Sequence, residues 1–169
     1  AKDDKSHRWL QDQFRLRNTI KIYTALVDGH PPTPKGRIEA AIGRDTQNRK
    51  KMSVYPQGIS RDSVTEYTVI RQFKNHSLLD VHPLTGRTHQ IRVHMAFLGC
   101  PIAGDCIYGY KKSTIPVKRH FLHASKLSII LPGDNAATNF EVPLPGELED
   151  ILDNFHHKSI SEAIMNWVD

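Results

Sequence analysis

Apolar and polar positions change period several times along the chain, and each change marks an element. Over residues 3–17, Leu10 and Phe14 lie one turn apart with Trp9 beside them. Asp3 or Asp4 stands where an N-cap is needed, and Arg15 and Arg17 suit the negative end of the dipole, so an amphipathic packing helix is predicted. Residues 19–27 switch to alternation, with Ile20, Ile22, Thr24 and Leu26 on one face of a strand and Lys21, Tyr23, Ala25 and Val27 on the other. The prolines between His30 and Lys35 read as a turn, residues 36–42 as a short strand, and Arg44 to Lys51, with Arg49-Lys50-Lys51, as a polar hairpin tip. Residues 63–73 and 76–83 are two strands joined by a turn at Lys74-Asn75, an antiparallel hairpin.

A tight turn and a helix follow. Gly86 is read as a positive-φ turn residue and Thr88 as the N-cap. Ile91, Met95 and Leu98 recur at i, i+4 and i+7, and Gly99 with Pro101 ends the helix. Residues 110–119 form a connection carrying Lys111, Lys112, Lys118 and Arg119. A long strand at 120–131 turns at Gly133-Asp134-Asn135 into a partner at 137–142, and a helix is predicted at 147–155. The tail, 156–169, is polar with Ile160, Ile164 and Trp167 spaced as a second helix would need. Strands in mostly hairpin order with a few helices predict an α+β class with an antiparallel or mixed sheet, in one unit over 1–155 plus the tail.

A length of 169 residues with 38% hydrophobic content suits one domain with a modest core, and a net charge of +5 favours a polyanionic partner. Without a long apolar run, a signal-peptide pattern or a lipidation motif, the expectation is a soluble cytoplasmic protein that does not engage a membrane, an address upstream of Ala1 aside. Cys100 and Cys106 are read as small hydrophobes in a reducing compartment. His89 and His94 are too far apart around a helix for a helical zinc site, and His120 with His123, or His156 with His157, match no metal template.

Candidate chemistry gathers at the start of the central helix. Arg87, His89, Gln90, Arg92 and His94 crowd an end whose free N–H groups and dipole favour an anion; a solvated basic helix start is the alternative. Tyr23 reads as a core or interface residue on its own, although a phenol also offers a flat face for stacking and a hydroxyl for proton relay.

The order of residues adds more. Gly86-Arg87-Thr88-His89-Gln90-Ile91-Arg92-Val93-His94, followed by Gly99-Cys100-Pro101-Ile102-Ala103-Gly104-Asp105-Cys106-Ile107-Tyr108-Gly109, resembles the third motif of the RluA-type pseudouridine synthases. Lys21-Ile22-Tyr23-Thr24-Ala25-Leu26-Val27-Asp28-Gly29 resembles that family's Lys-x-Tyr strand, and Phe121-Leu122-His123-Ala124 with Pro143-Leu144-Pro145 its C-terminal end. The resemblance implies the pseudouridine synthase fold, a mixed and mostly antiparallel sheet with flanking helices, and isomerisation of uridine to pseudouridine in rRNA or tRNA with no cofactor and no metal. It implies Tyr23 and Arg92 as catalytic residues, Tyr23 stacking on the uracil and assisting loss of the C5 proton, Arg92 pairing with the nucleophilic aspartate. Leu122 would pack beneath the base, and Lys21, Arg87, His89 and Gln90 would make phosphate or structural contacts.

The family's His-Arg-Leu-Asp-x-x-Thr-Ser-Gly motif does not occur in this sequence, and Ala1-Lys2-Asp3-Asp4 resembles the segment just after it. Asp80 and Asp105 stand in other contexts, a strand and the Gly-Asp-x-x-Tyr-Gly ending. The expectation is therefore the C-terminal part of a catalytic domain, its nucleophile lying in a missing N-terminal part or on a complementing chain. The alternative is a non-catalytic RNA-binding remnant.

Overall fold

The structure, a computed structural model, describes residues 1–165 apart from Arg49, Gln57, Val117 and Lys118, and the side chains of all but 156–165 among these. The expectations for Arg49, Lys118, Ile160, Ile164, Trp167, His156 and His157 lie outside what is described.

Helix α1 (Asp4–Arg15) starts where Asp3 accepts the Ser6 N–H, as its position before the apolar pattern predicts. Its Trp9 indole donates to the Ile130 carbonyl. Strand β1 (Ile20–Asp28) is followed by β2 (Lys35–Glu39), β3 (Ile42–Arg44), β4 (Met52–Val54), β5 (Ser60–Arg61), β6 (Val64–Gln72) and β7 (His76–Pro83). Helix α2 (Gln90–Phe97), strands β8 (Leu122–Ile130) and β9 (Ala137–Glu141) and helix α3 (Gly146–Met165) complete the order. The large sheet runs β2-β6-β7-β1-β8-β9 and a small one runs β4-β3-β5. Every described pair of strands is antiparallel.

Alternation in β1 divides the core. Ala25 and Val27 point to one face of the sheet with Leu79, Val81, Ile91 and Met95, so α2 packs there. Leu26 points to the other with Leu78, Phe121, Leu148 and Ile151, so α3 packs there. The central strands are covered on both faces, and β1 ends in a fully buried run.

Three expectations need correction. The predicted strand 36–42 breaks near Ala40, whose carbonyl is taken by the His94 Nε2–H, and Ile42 opens the small sheet instead. The predicted helix at 147–155 does not stop there: α3 runs on to Met165, so the described part of the tail is helical as expected but continuous with α3, because no Gly or Pro interrupts it after Gly146. Cys100 is buried as expected, but Cys106 is exposed on the connection after α2.

Helix α2 is closed by a paired 6→1 and 5→2 arrangement: Cys100 N–H donates to the Met95 carbonyl and Gly99 N–H to the Ala96 carbonyl. Gly99 supplies the positive φ (84°) that this ending requires.

Candidate active site

The ends of β1, β7 and β8 and the start of α2 surround a cleft of about 420 Å³ lined by Lys21, Tyr23, Pro83, Thr85, Gly86, Arg87, His89, Gln90, Ile91, Arg92, His120 and Leu122. Tyr23, Arg92, Lys21, Arg87, His89, Gln90 and Leu122, picked from sequence, are all in this lining, whereas His94 is not. Tyr23 and Lys21 come from the same face of β1, as alternation predicts. Tyr23 lies opposite Val81 of β7 on one side and Ala124 of β8 on the other. The β1–β8 register shifts here, because Ser125 of β8 is an extra residue between the Ile22↔Lys126 and Tyr23↔Ala124 pairs, a bulge on β8 beside the cleft, a common position for one.

The turn between β7 and α2 is held from inside by Gln90. Its Oε1 accepts from the Thr85 hydroxyl (2.7 Å) and the Arg87 N–H (3.0 Å), and its Nε2 donates to the Val64 carbonyl and the Thr65 hydroxyl, each at 2.9 Å. That uses the amide's full bonding capacity, so of the two contacts expected for Gln90 the structure makes the structural one. Gln90 thereby does the work assigned to Gly86 and Thr88. Gly86 does not take a positive φ, and the N-cap of α2 is His89, in the left-handed region at φ 57° with no side-chain cap bond. His94 does not belong to the helix mouth either. It is fully buried a turn further in, its Nε2–H donating to the Ala40 carbonyl and its Nδ1 accepting from the Thr65 hydroxyl. A carbonyl can only accept, so this pairing fixes the neutral Nε2–H tautomer, and burial holds the His94 pKa below its usual value.

Arg92 is the most constrained cation in the cleft. Its Nε donates to Asp105 Oδ2 at 2.6 Å and its Nη2 to Oδ1 at 2.8 Å, a bidentate pair, while its guanidinium carbon sits 4.9 Å from the Tyr108 ring centre. Asp105 Oδ1 also accepts the N–H groups of Ile107 and Tyr108. Burial pushes the Asp105 carboxyl up, but Arg92 and these two donors outweigh it, and its pKa lies below the usual carboxylate value. The hydrogen bond to Asp105 in turn raises the Arg92 pKa. Arg92 Nη1 is left without a partner among the described residues. Tyr108 closes the network: its hydroxyl accepts the Met52 N–H and bonds His89 Nδ1 at 2.8 Å.

The other cations are poorly neutralised. Arg87 donates through Nε and Nη2 to the Asp62 carbonyl, a neutral partner that orients the guanidinium and leaves its charge. Burial, with the Arg17 charge nearby, lowers the Lys21 pKa. Burial and the Arg92 charge likewise lower the pKa values of His89 and His120, which favours neutral imidazoles at the cleft. Leu122 adds an apolar wall. A cleft with a phenol, an apolar floor and fixed cations can hold a flat polar ring and an anionic backbone together.

Sequence reading missed three contributors. Asp105 and Tyr108 form an Asp-x-x-Tyr turn whose spacing was legible as an Asx-type motif. His120 carries no local signal; the fold alone brings it to the cleft. Neither carboxylate considered from sequence is available as a nucleophile here. Asp105 is 2% exposed and fully engaged, and Asp80 lies in mid-β7 and lines a separate hollow with Ile22 and Tyr67. Among the described residues no group of three or more His, Cys, Asp or Glu stands together as a metal site would need, and no helix is long and apolar enough to cross a membrane.

Comparison with known proteins places this site in context. The sequence profile of the family described as RNA pseudouridylate synthase matches residues 1–97. A Chloroflexus aurantiacus protein named as an uncharacterized RNA pseudouridine synthase is 45% identical over 152 residues, 90% of this chain and 47% of its own length. The ribosomal large subunit pseudouridine synthase D of Borreliella burgdorferi is 39% identical over 92% of this chain and 47% of its own. Two solved human structures share the fold. RNA pseudouridylate synthase domain containing 1 has a TM-score of 0.74 at 29% identity, over 86% of this chain and 62% of that one. RNA pseudouridylate synthase domain containing 4 has a TM-score of 0.75 at 25% identity, over 91% and 69%. The chain thus spans about half the length of the curated relatives it matches.

Proposed function

This chain belongs to the RNA pseudouridylate synthase family, and on that premise we propose that it is the C-terminal part of the catalytic domain of an RNA pseudouridine synthase acting on uridines of rRNA or tRNA. The reaction breaks the bond from the ribose C1′ to N1 of uracil, turns the base, and forms a bond from C1′ to C5. The C5 proton leaves and N1 gains one, so no redox partner is needed. The observation that carries the reading is the convergence of Tyr23, Arg92, Leu122, Lys21 and Arg87 on one cleft from two strands, a helix and a turn.

Tyr23 would stack on the flipped uracil and help remove the C5 proton; Leu122 would pack beneath the base. Arg92, rigidly held by Asp105, would present its remaining Nη1–H groups to the carboxylate nucleophile and keep it ionised. That carboxylate would come from the part of the protein that the relatives have and this chain does not span, or from a complementing chain. Lys21 and Arg87 would neutralise flanking phosphates.

The test is tritium release from RNA labelled at uridine C5, using the protein with its natural upstream sequence. Release that stops with Tyr23→Phe supports the enzyme. Tight RNA binding with no release in any of a panel of rRNA and tRNA transcripts would replace it with a binding protein that has lost the chemistry.

A further inference from the structure

We propose that a single-stranded RNA segment next to the target nucleotide runs out of the cleft along a trench built by the C-terminal end of α1, with Arg17 as its phosphate anchor. This rests on the RNA-modifying reading and adds to it the route of the flanking strand.

The trench is a second hollow, of about 380 Å³, lined by Phe14, Arg15, Arg17, Leu84 and by Lys21, Thr85, Gly86 and Arg87. The last four also line the cleft, so the two hollows share a wall. Of its four cations Arg15 alone has a carboxylate partner among the described residues, Asp12; Arg17 and Lys21 have no acidic neighbour within bonding distance and Arg87 leans on a carbonyl. Phe14 is 48% exposed beside them, an aromatic face on which a base can stack. Unneutralised cations interleaved with an exposed aromatic ring suit a nucleic-acid strand better than a protein surface, where exposed cations are ordinarily dispersed among acids.

The backbone at Arg17 points the same way. Helix α1 ends as α2 does, with Asn18 N–H donating to the Gln13 carbonyl and Arg17 N–H to the Phe14 carbonyl. The residue between must be left-handed. In α2 it is Gly99; here it is Arg17, at φ 61°. A side chain at this position is unfavourable, and glycine would be the unstrained choice. The arginine is held there against local preference, and what it gains is a place at the trench. The charge it brings also crowds Lys21, a repulsion that a phosphate between them would relieve.

The experiment compares Arg17→Gly with Lys5→Gln, a loss of the same charge at the far end of α1. Affinity for a short oligouridylate is measured over a series of salt concentrations with the protein carrying its natural upstream sequence. Arg17→Gly is expected to weaken binding several-fold and to flatten the slope of log affinity against log salt by about 0.7, the value for one phosphate on a single strand. Its thermal midpoint should not fall, since glycine suits the backbone. Lys5→Gln should change neither affinity nor slope. Unchanged affinity and slope in Arg17→Gly, or an equal effect in Lys5→Gln, overturns the trench while leaving the proposed function standing. Failure of the unaltered protein to bind RNA at any salt overturns both.

Discussion

Replacing Asp105 by asparagine tests the part of the site that sequence alone did not expose. The carboxylate accepts from Arg92 Nε, from Arg92 Nη2, and from the N–H groups of Ile107 and Tyr108. Asparagine is nearly isosteric but has only one acceptor atom. If its oxygen takes the Oδ1 place, its NH2 group meets the Arg92 Nε–H, donor against donor; flipped, it loses the other three contacts. Either way a guanidinium 9% exposed is left without its counter-charge. Breaking one partner of a buried pair costs roughly 3–5 kcal/mol, and the cleft-facing side of Arg92 argues for the low end, about 3 kcal/mol. For a domain of this size that corresponds to a fall in Tm of about 6–12 °C, read by far-UV circular dichroism during heating. Adding Arg92→Met completes a double-mutant cycle whose coupling should exceed about 1 kcal/mol. A Tm within about 2 °C of the parent, or strictly additive single changes, would refute the assignment of Asp105 as the group that holds Arg92.

Other consequences are equally open to measurement. His94 is neutral and its folded pKa lies below the ordinary 6.5, so the unfolded chain takes up its proton first and stability declines as pH falls through 6.5 toward the folded value. His82, His89 and His120 are shifted the same way, so Tm should drop on acidification from about pH 7 to about pH 5, less steeply in His94→Gln; a flat profile would contradict the buried tautomer. Gly104 has φ +79°, and a Cβ there would meet the Arg119 carbonyl oxygen at 2.5 Å. Gly104→Ala should therefore destabilise by about 2 kcal/mol or more, visible as a lower urea midpoint with an unchanged slope. Tyr108→Phe removes the hydroxyl shared by Met52 and His89. It should cost about 1 kcal/mol, and hydrogen exchange at the Met52 amide should speed up.

Much of the arrangement was legible because it rests on local periodicity. Alternation in β1 placed Lys21 and Tyr23 on one face, and the hairpin at Lys74-Asn75 delivered the chain to the central turn. The apolar face of α2 was equally plain, as Ile91 and Met95 are buried where the pattern put them. What failed were readings in which a side chain replaced a local signal. Gln90 closes the turn in place of a capping Thr88, and His94 spends its polarity inside the core on Thr65 and Ala40, distant in sequence. Long-range partnership was the other blind spot. The resemblance pointed Arg92 at an upstream carboxylate, whereas within this chain it is Asp105, beyond the end of α2, that grips it.

The central claim is that this cleft carries out isomerisation, with Tyr23 acting on the base. Single-turnover tritium release from C5-labelled RNA, with affinity measured on the same samples, tests it most directly. The unaltered protein, together with the N-terminal part proposed above, is expected to release tritium. Tyr23→Phe is expected to react at least about 100-fold more slowly, a general acid–base loss, with RNA affinity nearly unchanged because the stacking ring remains. Release at the parental rate by Tyr23→Phe would contradict the role given to the phenol, and no release by the unaltered protein from the RNAs it binds would contradict the claim itself.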